Sequence, residues 1–177
     1  MEISYSLNEQ DYIDFNLYHI NHSDTLKKSL MIQRYVLPLI FFIIPFVATR
    51  VTDIPLWYWT SVSMVAIVVW MIFYPRYFKW EISKRLVKML KEGKNDVMLG
   101  HRSLSLTSQG IIEHSVGSES KTSWDVVGNI YETKDYLFIY ISSVSAYIVP
   151  IRIFESMEHK EKFLKEIDDY KAMEKEN

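Results

Sequence analysis

The 177-residue chain is long enough for one soluble domain and a membrane anchor, but too short for two full-sized globular domains. Its formal net charge of -2 lacks the basic excess that a nucleic-acid-binding surface requires, so we expect no nucleic-acid partner. The chain has no cysteine, which excludes disulfides, thiolate nucleophiles and cysteine-built zinc or iron–sulfur sites.

Residues 1–29 predict a cytoplasmic strand followed by a helix. Apolar and polar side chains alternate over residues 3–7, which is typical of a half-buried strand. Asn8 is a preferred helix-capping residue, and apolar side chains recur at helical spacing after it toward Ser29.

Residues 30–74 predict a transmembrane hairpin of two helices. Residues 56–74 contain no charge, and these 19 residues would span about 28 Å as a helix, close to the thickness of a bilayer core. Residues 35–49 are also uncharged but short, and Pro38 and Pro45 predict a kinked helix. Residues 30–32 would lengthen this first span, and Gln33 and Arg34 would then lie near the water interface. The alternative, a cleaved signal peptide, fits poorly because the apolar run begins so late and a second span follows it.

The charges on both sides of the hairpin predict its orientation. Lys27, Lys28 and Arg34 precede its uncharged stretches and six further cations follow them, whereas only Arg50 lies in the connecting loop. The positive-inside rule then places both termini in the cytoplasm of a two-span cell-membrane protein. Aromatic side chains at both ends of the second span are typical of residues that lie at membrane interfaces.

Residues 75–93 predict a basic amphipathic helix at the membrane surface, which Gly93 would terminate. Its cations would attract anionic lipids of the inner leaflet. An ordinary solvated face on a connecting helix is the alternative. The predicted membrane-surface residues are Arg76, Lys79, Lys84, Arg85, Lys88 and Lys91.

Residues 94–177 predict a cytoplasmic β-rich domain closed by a C-terminal helix. Turn residues separate short alternating runs, and Ser156 could cap a helix with an apolar stripe. Trp124 is predicted to lie in the core rather than in a partner groove. The fold class is therefore an α+β membrane protein with a small antiparallel sheet or partial barrel. The six predicted strands are residues 102–107, 111–116, 119–124, 129–133, 136–142 and 146–151.

The sequence predicts no catalytic, cofactor-binding or metal-binding residue. His19 and His22 lie three residues apart, but two neutral ligands make a weak metal site, and a packed polar cluster is the favoured interpretation. The glycines form no phosphate-binding loop, and the adjacent Asp168 and Asp169 are typical of a solvated helix face.

Several segments resemble the YcxB-like membrane proteins of bacteria. The resemblance extends over nearly the whole chain and is clearest at residues 11–19, Trp124, residues 130–138 and residues 146–150. It implies a C-terminal domain related to pleckstrin-homology (PH) folds, held at a bacterial membrane. It implies no activity and no functional residues.

Three functional hypotheses follow from these observations. The first is a noncatalytic interaction or regulatory module, in which the hairpin holds the PH-like domain at the membrane to bind an unknown protein or peptide. The second is an immunity or self-protection protein against a membrane-active peptide. The third is an enzyme with an unrecognised site. A homo-oligomer is compatible with all three.

Overall fold

The computed structural model describes residues 1–92 and 99–176. The chain divides into two compact units. The first, which we call the β unit, comprises Met1–Asn16 and Val87–Asn177. The second, which we call the hairpin unit, is Leu17–Leu86. The β unit thus contains both the start of the chain and the C-terminal domain. The sequence patterns predict these as two separate segments, residues 1–29 and 94–177.

The first sheet of the β unit is antiparallel, with strand order β1-β2-β3-β4. Its strands are β1 (Glu2–Leu7), β2 (Gly100–Thr107), β3 (Gly110–Ser115) and β4 (Ser118–Thr122). The alternation predicted for residues 3–7 is confirmed, because Ile3, Tyr5 and Leu7 are buried while their neighbours are exposed. Ile3 lies opposite Leu104 of β2, although the whole hairpin unit separates the two in sequence.

The second sheet has strand order β5-β6-β7 and is also antiparallel. Its strands are β5 (Ile130–Glu132), β6 (Tyr136–Tyr140) and β7 (Ala146–Pro150). The first four residues of β6 are all buried, so both faces of this strand lie in the core. Thr122 and Tyr147 share a hydrogen bond of 2.7 Å that joins β4 to β7.

Helix α5 (Met157–Glu176) follows a short 3-10 turn (Ile151–Ile153). Ser156 caps it as predicted, since its Oγ accepts a hydrogen bond of 3.1 Å from the backbone N–H of His159. Phe163 and Ile167 of α5 are fully buried.

Trp124 lies in the core, as predicted, with only 3% of its surface exposed. Its Nε1 donates a hydrogen bond of 2.9 Å to the carbonyl oxygen of Thr107. Its ring stacks on Tyr170 of α5, with the ring centroids 5.3 Å apart. Trp124 therefore links the end of β2 to the C-terminal helix.

The helix predicted after Asn8 is divided into α1 (Glu9–His22) and α2 (Asp24–Met31). The division falls at Ser23, whose ψ of 122° is not helical. α1 begins with a reciprocal cap: Asp11 N–H donates to Asn8 Oδ1, and Asn8 N–H donates to Asp11 Oδ2.

The first apolar segment is an irregular helix, as its prolines predicted. After α2 the chain forms a π-helical turn (Ile32–Val36), a 3-10 segment (Leu37–Phe42) and α3 (Ile43–Val51). A proline has no N–H to donate to the carbonyl four residues earlier, so Pro38 and Pro45 each interrupt the regular α-helical hydrogen bonds.

The second apolar segment is α4 (Leu56–Lys91), a single helix of 36 residues. It continues through Pro75, so the predicted second span and the predicted basic helix are one element. Gly93, the predicted helix stop, and the domain boundary at residues 93–94 lie outside the described residues.

Candidate membrane-interaction site

Two helical segments, Asp24–Val51 and Leu56–Lys91, are long and apolar enough to cross a membrane. Only 11% of the most apolar window of each is buried. Large apolar side chains point outward along both, as shown by exposed fractions of 66% for Phe46, 70% for Trp57 and 64% for Val65. The core helix of a soluble protein would bury such residues, and an exposed apolar surface of this extent marks an interaction site.

Polar contacts join the two apolar segments at the end where the uncharged stretches meet the flanking cations. Trp70 Nε1 donates a hydrogen bond of 3.1 Å to the carbonyl oxygen of Gln33. The hydroxyl of Tyr74 donates to the side-chain oxygen of the same glutamine. The rings of Trp70 and Tyr74 stack with centroids 5.3 Å apart. Gln33 therefore fixes the pairing of the two segments at this end.

Arg34 makes a second contact between the segments, which compensates for a proline. Pro75 lies inside α4 and cannot donate a backbone hydrogen bond to Met71, four residues earlier. Arg34 Nε donates to that Met71 carbonyl oxygen instead, over 3.1 Å. An unsatisfied carbonyl is costly in an apolar environment, so this bond allows α4 to continue through its proline.

At the other end, Trp59 Nε1 donates a hydrogen bond of 3.2 Å to Thr52 Oγ1 across the connecting loop. Trp57 and Tyr58 are exposed beside it. This arrangement places three aromatic side chains at one end of α4, as the sequence predicted.

All six predicted membrane-surface cations are exposed on α4, while Phe78, Ile82 and Leu86 on the same stretch are half-buried. The helix is therefore amphipathic, as its pattern predicted. The six cations are Arg76, Lys79, Lys84, Arg85, Lys88 and Lys91.

Three of these cations form ion pairs. Arg85 lies 2.7 Å from Glu81, and Lys88 lies 3.4 Å from Glu92. Lys91 lies 3.9 Å from Glu9 of α1. Exposed pairs of this kind contribute little to stability, so these cations stay available to an anionic surface.

Asp11 is the centre of a polar network in the β unit and is only 1% exposed. Arg152 donates to both carboxylate oxygens of Asp11 over 2.7 Å. Tyr136 donates its hydroxyl to Asp11 over 2.9 Å and lies 3.0 Å from Asp14. The network ties the start of α1 to β6 and to the 3-10 turn after β7. No local sequence pattern indicates this pairing, because 141 positions separate Asp11 from Arg152.

The network sets the protonation of Asp11. Burial alone would raise the pKa of this carboxyl, but the hydrogen bonds from Arg152, the Asn8 backbone and Tyr136 outweigh burial and lower it. Burial raises the pKa of Tyr136, and so do its hydrogen bonds to the Asp11 and Asp14 carboxylates. Asp11 is therefore an ionised structural carboxylate rather than a proton donor at neutral pH.

Two further polar side chains, Arg102 and His22, are engaged in local contacts. Arg102 forms an ion pair of 2.7 Å with Glu113 on the next strand, so its charge is compensated. His22 Nδ1 lies 2.8 Å from the carbonyl oxygen of Tyr18, and the two rings stack. Within residues 1–92 and 99–176, no group of three or more histidine and carboxylate side chains could hold a metal ion.

The fold and these contacts define an α+β protein with two antiparallel sheets and two helical segments long and apolar enough to span a membrane. Residues 106–167 match the family model described as YcxB-like protein. The resemblance to this family is therefore confirmed, over a segment that runs from the end of β2 into α5. No curated protein and no solved structure matches the chain.

Proposed function

We propose that this is a two-span membrane protein whose β unit is a PH-like, noncatalytic interaction module at the cytoplasmic face. The pairing of β1 with β2 is the main support for a two-span membrane anchor. These strands lie before and after the hairpin unit, so a chain that enters the membrane after β1 must return to the same side before β2. An even number of crossings meets this requirement, and two candidate spans are available.

The flanking charges support the orientation. Lys27 and Lys28 precede the hairpin and the six α4 cations follow it, whereas Arg50 is the only cation in the loop. Reporters fused before Met1 and after Asn177 should both report cytoplasm, and a reporter inserted after Asp53 should report the opposite side. A non-cytoplasmic signal from either terminus would contradict the hairpin.

The architecture supports the PH-like assignment. Sheets of four and three antiparallel strands, followed by one C-terminal helix, are the elements expected of such a domain. The Asp11 network and the buried side chains of β1 hold the N-terminal segment in the β unit. Such an arrangement suits a module that transmits a change at the membrane to a bound partner.

The outer edge of strand β5 is the surface best suited to bind a partner protein. Asn129 and Thr133 form backbone hydrogen bonds to β6, so the backbone groups of Ile130 and Glu132 point away from it. Among the described residues, no strand pairs with that side of β5. A groove of about 340 Å³ lies beside it, and α5 supplies the other wall. An extended segment of a partner protein could pair with β5 and place side chains in the groove.

Site-specific crosslinking in native membranes tests this surface. A photoreactive residue at Asp168, which lines the groove, should form a discrete adduct, whereas one at the adjacent Asp169 should not. Ile130→Pro should suppress the adduct, because it removes an outward backbone donor without breaking the bonds to β6. Equal adducts at both aspartates, or an adduct that survives Ile130→Pro, would contradict partner binding along β5.

The cations of α4 support a second contact, with anionic lipids of the inner leaflet. A peptide of residues 76–93 should bind anionic vesicles more strongly than neutral ones, and added salt should reduce the difference. Replacing Lys84, Arg85 and Lys88 with Gln should weaken binding by about 3 kcal/mol if all three reach the surface. Equal binding to both vesicle types would leave only apolar insertion, and no binding would make the helix a spacer.

A further inference from the structure

A cavity of about 370 Å³ lies within the hairpin unit. Its walls come from the end of α1, from α2, from the π-helical turn and from the middle of α4. Leu17, Ile20, Leu30 and Phe78 give it an apolar lining. It is next to Tyr35 and Tyr74, where the uncharged stretches begin and end, which is the level of the headgroups if the two segments span a bilayer.

Three cations line the same cavity, and no carboxylate does. They are Lys27, Arg34 and Lys79, and none of them forms an ion pair with a described residue. Arg34 is held in place by the bond from its Nε to Met71, which leaves its terminal nitrogens without a hydrogen bond to any described residue. A fixed guanidinium and two flexible ammonium groups are a suitable donor set for one phosphate.

We propose that this cavity binds one anionic phospholipid, with its phosphate between the three cations and an acyl chain along the apolar wall. The inference rests on the proposed membrane insertion and adds a defined lipid site to it. Charge complementarity selects an anionic ligand, and the apolar lining selects one with a hydrocarbon chain rather than a free phosphate. Basic cavities between helices at the cytoplasmic side of a membrane bind lipid headgroups by this chemistry.

Native mass spectrometry of the full chain in mild detergent tests the proposal. The probes are phosphatidylglycerol and phosphatidylcholine with the same acyl chains. The unmodified protein should retain one phosphatidylglycerol per chain in preference to phosphatidylcholine. Lys27→Gln/Lys79→Gln should weaken phosphatidylglycerol binding by about 30-fold, since each cation near an anionic group contributes to the affinity.

The matched control is Lys28→Gln/Arg76→Gln. It removes the same charge from two exposed neighbours that do not line the cavity, so it should keep the preference. All four side chains are exposed, so both variants should retain the helical circular-dichroism spectrum of the unmodified protein.

Equal loss in both double variants would make the attraction a general surface effect and overturn the proposal. Retention of both lipids to the same extent would also overturn it. If soluble glycerol phosphate displaces phosphatidylglycerol, the cavity binds a free anion rather than a lipid, which would overturn the proposal. Failure of the anchor is distinguishable, because a protein absent from the membrane fraction contradicts membrane insertion, whereas an inserted protein without lipid preference contradicts only this site.

Discussion

Truncating the buried side chains of β1 should destabilise strands of the β unit that begin almost a hundred positions later in the sequence. Ile3 and Leu7 are each 5% exposed, and Ile3 faces Leu104, which is fully buried. Replacing a buried Ile or Leu with Ala costs about 2–5 kcal/mol. The two positions lie about 13 Å apart on the strand, so their effects should add to about 4–10 kcal/mol. Domains are stable by about 5–15 kcal/mol, so Ile3→Ala/Leu7→Ala should remove most of that stability.

Hydrogen exchange of the full chain in mild detergent, read out by mass spectrometry, measures where protection is lost. The double variant should lose protection in β2, β3 and β6 as well as in β1, since one core stabilises them all. Ser4→Ala/Ser6→Ala is the control on the exposed face of the same strand and should change stability by no more than about 0.5 kcal/mol per site. Loss confined to residues 1–16 would show that β1 is only a peripheral strand and would refute the reasoning.

A fragment of residues 99–177 provides an independent check. Without β1 it loses the burial of Ile3, Tyr5 and Leu7, which is worth about 5–9 kcal/mol at about 1.5–3 kcal/mol per side chain. It should therefore lack a cooperative thermal transition, and residues 1–16 joined to it by a flexible linker should restore one. A cooperative transition of the fragment alone, at the temperature of the linked form, would contradict the role of β1.

Three further predictions follow from the contacts described above. Trp124→Ala should destabilise the β unit by about 3–5 kcal/mol in urea-dependent pulse proteolysis. Trp124→Phe should cost less, because it keeps a buried aromatic ring and loses only the indole hydrogen bond and part of the ring volume. Equal urea midpoints for all forms would make Trp124 a surface residue. The lowered pKa of Asp11 contributes stability that is present above its unfolded pKa of about 3.9 and is lost as the pH falls through the folded pKa. Between neutral and acidic pH, the urea midpoint of unfolding should therefore fall less steeply in Asp11→Asn than in the unmodified protein. An unchanged fall would mean that other carboxylates cause the loss of stability in acid. Arg34→Met should destabilise the protein by about 1–3 kcal/mol, because it leaves the Met71 carbonyl without a hydrogen bond. The same change in a Pro75→Ala background should cost less, because the alanine supplies the missing backbone N–H. Equal costs in a double-mutant cycle, measured by detergent denaturation, would refute this compensation.

The local elements could be predicted from the sequence because their causes are local. The strands of the β unit begin and end within two residues of the predicted positions, since alternation and turn residues determine them. The caps at Asn8 and Ser156 follow from short-range hydrogen bonds. The two apolar segments follow from composition alone, and their prolines predicted the irregular course of the first one.

Local sequence patterns therefore predict the type and extent of most elements, and whether each needs an apolar or an aqueous environment. The tertiary structure selects which distant residues meet. It paired β1 with β2 across the hairpin, bound Arg152 to Asp11, and directed Arg34 to the carbonyl that Pro75 leaves without a donor. Such contacts depend on the path of the whole chain. Hydropathy and periodicity report only whether a side chain needs burial or a partner, and packing selects the residue that supplies it.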